Sequence, residues 1–352
     1  MTTPPDPDKA PKANMLTSLT RLVPGPAKLG FGKPQIDIDA LTQRIVLPSL
    51  PVTDEEIARA THQDNGQKLA RQENWSELAR LIEYADDSRI STPGGESAAM
   101  LLAFGARSDV IAVAEDALYD ESEPSPDGID ALEEMLAEHY GNYACALITA
   151  LAHVDIGWAW RNTAPEQDNQ LHLMRFKEHF RRAEDILGPF DGVDLDAPSL
   201  AAAQCALLAS RPQPGTRVAD DYEKLIDLDP DSPRHMRALG QHLLPSFFGD
   251  YRQLELEARR TASRTGDIWG AGAYTWVYFD ALALDAQAIG TLDCDFFIDG
   301  MRDILRIKAD QHVTNLMAAF CAITMARMHG KRGGPRIPMP ATRGCMIVWG
   351  GS

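Results

Sequence analysis

The chain has 352 residues, of which 44% are hydrophobic and 24% charged, a composition typical of a soluble globular protein with a large buried core. This composition excludes disorder along the whole chain. The formal net charge of −17 at pH 7 excludes nonspecific binding of DNA, RNA or anionic membrane through the average surface, because such binding needs a basic surface. We therefore expect neither a nucleic-acid partner nor a membrane partner.

Composition divides the chain into three parts. Residues 1–35 carry seven prolines among small and charged residues, so burial gains too little to offset ordering, and we predict a mostly disordered arm. Residues 36–328 are predicted to form one helical-repeat-like domain. Residues 329–352 form a basic tail rich in glycine and proline, without helical spacing.

Helix signals follow each other closely within the central part. Thr53 with Glu56, and Asn74 with Glu77, have the spacing of capping boxes, which satisfy free N–H groups at a helix start. No comparable segment alternates with period two, so the sequence predicts an all-α fold. We predict about twelve helices near 54–72, 75–87, 96–106, 109–119, 127–140, 142–161, 167–187, 198–210, 217–228, 233–246, 250–265 and 269–288. Two more are predicted near 295–308 and 310–328.

One segment carries a repeat motif. Tyr222 lies eight residues before Pro230 of a Leu-Asp-Pro turn, and the Leu-Gly pair that ends at Gly240 follows ten residues later. These offsets resemble those of tetratricopeptide repeats, which are stacked antiparallel helical hairpins. Gly249-Asp-Tyr251 resembles the turn inside such a repeat, but two extra residues and Pro245 precede it. The first helix of this repeat is therefore expected to end early or kink.

The resemblance is partial elsewhere. Gly141-Asn-Tyr143 resembles the same turn, although no Asp-Pro follows at the expected distance, and no 34-residue period runs through the chain. The sequence thus predicts an irregular tetratricopeptide-like array, an α-solenoid. Residues 153–161 and 92–95 also resemble an uncharacterised bacterial domain family, and this likeness implies no activity.

The repeat register indicates a first candidate site. In tetratricopeptide folds the second, fifth and ninth positions of the first helix face the ligand groove, which here implies Arg234, Arg237 and Gln241. Two arginines on one face can hold a carboxylate through paired hydrogen bonds, so the implied partner is a protein or peptide with an acidic segment. The alternative interpretation is a solvated basic face on an acidic protein.

A second candidate site lies at His153, Asp155, Trp158, Trp160 and Arg161. On a helix, Asp155, Trp158 and Arg161 share one face and His153 shares another with Trp160. The functional interpretation is a ligand-facing patch. In the structural alternative the tryptophans anchor helix packing and Asp155 pairs with Arg161 or caps a neighbouring helix.

Searches for catalytic and cofactor motifs find none. His172 and His179 are two helical turns apart, as are His235 and His242, so the two histidines of each pair lie about 10 Å apart along the helix axis and cannot both bind one zinc ion. A nucleophile elbow, a P-loop and a dinucleotide fingerprint after a strand are all missing from the sequence. We expect no metal, no cofactor and no catalytic residue.

Together these patterns predict a non-enzymatic scaffold or adaptor that binds a protein or peptide. The rival is a helical enzyme or small-molecule binder with a pocket around His153, Asp155, Trp158 and Arg161. A third possibility is a component of a larger assembly. Five dispersed cysteines without a CxxC pair and an N-terminus without an apolar signal region predict a cytoplasmic location.

Overall fold

A computed structural model describes residues 52–166, 169–211 and 213–325. Within these residues the protein is all helical, as predicted, and the only β-pairing is a single bridge between Ser91 and Ser97. The predicted arm at 1–35 and the predicted tail at 329–352 lie outside the described residues. Among the described helices, none has the length and apolar character needed to cross a bilayer.

Fourteen α-helices make up the described part of the chain. They are α1 (Asp54–Arg71), α2 (Trp75–Asp87), α3 (Ala98–Tyr119), α4 (Asp127–Glu138), α5 (Tyr143–Asn162), α6 (Gln170–Leu187), α7 (Pro198–Ala206), α8 (Val218–Leu228), α9 (Pro233–His242), α10 (Tyr251–Arg264), α11 (Gly266–Trp269), α12 (Gly272–Leu284), α13 (Cys294–Ile307) and α14 (Gln311–Ala319). Short 3₁₀ segments cover Leu207–Ser210, Pro214–Thr216 and Ala286–Gly290, and a π-helical segment covers Phe320–Met325.

The two predicted capping boxes have different outcomes. Thr53 accepts a hydrogen bond from the Glu56 N–H, and the Glu56 carboxylate accepts one from the Thr53 N–H, so the first box is confirmed. The second prediction was wrong, because the Asn74 side chain makes no capping bond. The Glu77 carboxylate is held instead by Arg80, 2.6 Å away on the same helix.

The helices predicted at 96–106 and 109–119 are one continuous helix, α3. The polar residues 107–109 lie where the two predicted helices meet, and each of them has a hydrogen-bonding partner in the structure. Arg107 pairs with Asp155 of α5, Ser108 donates to the Gly105 carbonyl, and Asp109 pairs with Arg71 of α1. The helix therefore continues through a polar segment because neighbouring helices satisfy it.

Close helix crossings depend on glycine. A methyl group added at Gly66 of α1 would come within 2.1 Å of the Leu102 carbonyl oxygen on α3, and one at Gly105 of α3 within 1.9 Å of the Gln63 oxygen on α1. In the second half, a methyl group at Gly240 of α9 would lie 1.7 Å from the Val277 oxygen on α12. Both helix pairs thus pack backbone against backbone.

Two large hydrophobic clusters fill the described part of the molecule. The first is built from α1–α7 and includes Leu78, Leu147 and Phe180, and the second is built mainly from α7–α14 and includes Tyr222 and Trp276. The motif residue Tyr222 is only 2% exposed and its hydroxyl lies 2.9 Å from Nδ1 of His242. Helix α9 ends at His242, three residues before Pro245, as expected from the insertion.

Candidate functional site

Arg234 is part-buried and bonded within the protein. Its Nε donates to the Gly94 carbonyl at 3.2 Å, and its Nη2 lies 3.0 Å from the carboxylate of Glu96. Gly94 and Glu96 belong to a turn that begins at Thr92, where the Gly95 N–H bonds the Thr92 carbonyl at 2.8 Å. Arg234 therefore ties the start of α9 to the loop before α3.

Arg237 is also engaged within the protein. Its Nε and Nη2 donate to both carboxylate oxygens of Asp280 on α12, at 3.0 and 2.9 Å, and its guanidinium stacks on Phe279 at 5.3 Å. Gln241 is part-buried on the same helix and also has a partner. The three predicted residues share a helix, but both guanidinium groups are already paired with carboxylates of the chain, so ligand capture there stays a prediction.

The second cluster divides among three neighbouring helices. Nε2 of His153 lies 2.9 Å from Glu133 of α4, and Nδ1 lies 2.9 Å from Nδ1 of His179 on α6. Burial lowers the pKa of His153, and burial together with the neighbouring His153 lowers the pKa of His179 to about 4. Both rings are thus neutral near pH 7 and contribute to helix packing.

Asp155 points elsewhere and does not pair with Arg161. Its carboxylate lies 2.7 Å from Nε of Arg107, whose side chain is 3% exposed. The expected Asp155–Arg161 pair was therefore wrong, because Asp155 faces α3 while Arg161 stacks on α6. The sequence contained no signal for Arg107, which lies 48 residues away from its partner.

The two tryptophans have different roles. Trp160 is 6% exposed, and its ring meets His172 edge to face at 5.1 Å, so it is a packing residue. Trp158 is part-buried and packs edge-on against Phe176 and Phe180 of α6, at 5.4 and 5.8 Å. One side of Trp158 remains available to line an open groove.

This groove, which we call the Trp158 groove, has a volume of about 1070 Å³. Its walls come from the end of α3, the end of α5 with the segment that follows it, and the loop between α9 and α10. The residues that line it are Leu118, Tyr119, Glu121, Trp158, Arg161, Asn162, Thr163, Ala164, Pro165, Glu166, Ala209, Ser246, Phe247 and Phe248. The sequence patterns did not indicate Tyr119, which is 85% exposed, or Phe247 and Phe248. The two phenylalanines lie in the segment that departs from the repeat motif, and this departure could have indicated them.

Arg161 is the cation of the Trp158 groove. Its guanidinium stacks over the rings of Trp158 and Phe176, at 5.4 and 4.9 Å. In contrast to Arg234 and Arg237, it is exposed and forms no ion pair with any described residue. Stacking fixes the guanidinium while its N–H edge remains free, which is how arginine is prepared to bind a carboxylate.

Metal chemistry has no support in the described part of the chain, where no three His, Cys, Asp or Glu side chains are placed to hold an ion. The arrangement can instead recognise a partner through the guanidinium of Arg161, which is held by the part-buried ring of Trp158 and the buried ring of Phe176. Comparison of the chain with protein-family models, with curated proteins and with solved structures finds no match in any of the three.

Proposed function

We propose that this protein is a non-enzymatic cytoplasmic scaffold of irregular tetratricopeptide-like hairpins, and that it binds an acidic peptide segment of a partner protein in the Trp158 groove. The observation that carries the proposal is the state of Arg161. It is exposed, held by two aromatic rings and without a carboxylate partner among the described residues, in a groove of about 1070 Å³.

The packing of α9, α10 and α12 supports the repeat-like part of the proposal. Helix α9 contacts both α10 and α12, and α10 also contacts α12, which is the pattern of one hairpin followed by the first helix of the next. Gly240, the glycine of the repeat motif, lies at the closest approach of α9 to α12. Helices α1, α2 and α3 make the same set of contacts at the start of the described chain.

The chemistry of the groove defines the peptide. Trp158, Tyr119 and Phe247 offer apolar and aromatic surface, and Arg161 offers a charged donor pair beside it. Such a surface suits a carboxylate that is flanked by an apolar side chain, because the ring anchors the peptide while the arginine fixes its register. Glu121 and Glu166 also line the groove and disfavour a run of acids, so we expect one or two carboxylates at the Arg161 position.

Arg161 is a better candidate than Arg237 for energetic reasons. A ligand that recruits Arg237 must first break its paired bonds to Asp280, and this would leave a half-buried carboxylate without its partner. Arg161 needs no such exchange. The net charge of −17 repels an acidic peptide at long range, so the affinity must come from this local contact.

The rival function, a helical enzyme or small-molecule binder, needs His153, Asp155, Trp158 and Arg161 around one pocket. Their partners lie on separate helices: α4 and α6 for His153, α3 for Asp155, and α6 for Trp158 and Arg161. Only Trp158 and Arg161 line the groove together. The geometry therefore favours the peptide-binding function.

A fluorescence-polarisation screen tests the proposal. Labelled eight-residue peptides that place Asp or Glu beside Phe, Trp or Leu are titrated into the full chain, with the matching Asn and Gln peptides as controls. The R161Q variant should weaken binding of the acidic peptides by about tenfold, the size of one charge-assisted hydrogen bond, and should leave the amide peptides unaffected. Arg181→Gln is the matched control, since Arg181 on α6 is exposed and forms no ion pair with a described residue.

Tyr119→Ala provides a second test that spares the fold. Because Tyr119 is 85% exposed, its removal should leave the melting temperature unchanged while weakening the same peptides. Equal affinity of the wild type, R161Q and Y119A proteins for every binding peptide would refute the assignment of the groove. Absence of binding by any peptide of this class would refute the proposed partner chemistry.

A further inference from the structure

The last described segment of the chain is apolar on all sides. From Leu316 to Met325, which covers the second half of α14 and the π-helical segment, Thr324 is the only residue with a hydroxyl, amide or charged side chain. No charged residue lies between Asp310 and Arg327. A helix that is hydrophobic all round is normally buried all round, so this segment should have neighbours on every side.

One side of the segment has its neighbours. The ring of Phe320 stacks on that of Phe279 of α12, with centroids 4.3 Å apart, and lies 5.8 Å from the ring of Phe297 on α13. Val313 and Met317 of α14 are buried as well, and their spacing puts them on the same side as Phe320. This side therefore belongs to the second hydrophobic cluster.

The opposite side is exposed although it is apolar. Ile323 is 51% exposed. We call this surface the end face, and its residues, all exposed, are Ala318, Ala319, Cys321, Ala322 and Ile323. Stacked helical arrays normally end on a helix with a polar outer face, and an apolar face in that place marks a docking surface.

The tail that follows has the chemistry to cover the end face. Residues 329–352 contain four basic residues and no acidic residue, and they include the apolar sequence Met346-Ile-Val-Trp349. The sequence Gly333-Gly-Pro335 favours a turn. The 19 residues from 326 to 344 span up to about 60 Å when extended, so the apolar sequence can return to the end face from which the tail departs.

Charge distinguishes the tail from a second copy of the chain as the occupant. The whole chain has a net charge of −17, whereas the tail is positive, so the tail is attracted to the rest of the protein. Two copies that met through their end faces would bring two strongly acidic molecules together, and their repulsion opposes this contact. The covalent link also keeps the tail at a high effective concentration beside the end face.

We propose that residues 345–349 of the tail dock on the end face of the same molecule. The three alanines of the end face have small side chains and leave space for large ones, so Ile347 and Trp349 supply most of the buried apolar area. The contact covers the apolar end of the helical domain. It is separate from the Trp158 groove and does not depend on peptide binding.

Two native cysteines allow the contact to be tested, because Cys321 lies on the end face and Cys345 begins the docking sequence. The full chain carries Cys294→Ser, which removes the other exposed cysteine of the described residues. It is treated with a short bismaleimide at low protein concentration. Peptide mass spectrometry should find Cys321 joined to Cys345 within one chain.

Substitutions on the two sides of the contact should reduce this cross-link. Ile323→Asp on the end face and Ile347→Asp in the tail should each lower its yield by about tenfold, because each removes the burial of one isoleucine side chain. Val113→Asp is the matched control, since Val113 is 60% exposed on α3, and it should leave the yield unchanged. Labelling by N-ethylmaleimide corrects the yields for thiol reactivity, and thermal denaturation shows that I323D and V113D are folded.

A mixture of unlabelled and heavy-isotope-labelled chains shows whether the link forms within one molecule. The proposal is overturned if the C294S protein gives no Cys321–Cys345 link, or if I323D and I347D cross-link as well as V113D. It is also overturned if the link joins light to heavy chains, or if sedimentation velocity shows a dimer that I323D dissociates. Either of these last results would assign the end face to a second copy of the chain.

Discussion

Replacement of Gly240 by alanine tests the closest helix contact in the second cluster. The new methyl group would lie 1.7 Å from the Val277 oxygen and 2.7 Å from its carbonyl carbon, whereas real contacts of this kind do not fall below 3.0 Å. The contacted atoms belong to the backbone of α12 and cannot rotate away. Helices α9 and α12 must therefore move apart by more than about 1 Å.

The expected magnitude follows from two opposing effects. Alanine in a helix interior is favoured over glycine by about 1 kcal/mol. Overpacking costs about 1–3 kcal/mol, and we take the upper end because α12 is anchored by Tyr274, Trp276 and Tyr278, which are at most 1% exposed. The net result is a loss of about 2 kcal/mol in the free energy of unfolding, which lowers the melting temperature by roughly 4–8 °C.

Denaturation by urea, followed by circular dichroism, measures this loss. Gly266→Ala is the matched control, since Gly266 also lies in a helix but has nothing within 4 Å of the added methyl group. This control should be neutral or slightly stabilising. If Gly240→Ala is as stable as the wild type, the close packing of α9 on α12 is wrong, and the support for stacked hairpins is lost with it.

Two further predictions concern charge. A double-mutant cycle with Arg237→Gln and Asp280→Asn should give a coupling of about 1 kcal/mol in the free energy of unfolding, because the pair is bidentate and half-buried. A coupling near zero would show that the pair adds nothing to stability, and Arg237 would then be as available to a ligand as Arg161. Burial lowers the pKa of His242 to about 4, so between pH 6.5 and pH 4 the unfolded chain binds a proton that the folded chain does not, and stability falls as the pH falls through this window. The His242→Gln variant keeps a hydrogen-bonding group near Tyr222. In urea unfolding, its free energy of unfolding should fall less between pH 7 and pH 4.5 than that of the wild type. An equal fall in both proteins would contradict the lowered pKa of His242.

The sequence predicted those features that depend on residues close together in the chain. The helical class followed from residue spacing, the start of α1 from the Thr53–Glu56 box, and the early end of α9 from Pro245 and the two extra residues before Gly249. Each of these depends on groups only a few residues apart, such as a side chain and the N–H it caps. Neighbouring residues in the sequence contain enough information for such contacts.

The break predicted within α3 and the partners of the candidate site residues depended on distant contacts. Arg107 lies just beyond the predicted end of a helix at residue 106, and its partner Asp155 is 48 residues away in the sequence. The sequence likewise contained no sign that Arg234 donates a hydrogen bond to the carbonyl of Gly94, 140 residues away. The register of a helix shows which residues share a face, but not which helix covers that face.

Packing also determines which of the three arginines has no carboxylate partner among the described residues. Arg161, Arg234 and Arg237 are equally charged in the sequence, and all lie on helical faces with polar neighbours. Only the tertiary structure pairs two of them with carboxylates and stacks the third on aromatic rings at the edge of a groove. The sequence by itself thus determined the helices and their local ends, and long-range packing determined which charges remain available, because an ion pair forms between residues that only folding brings together.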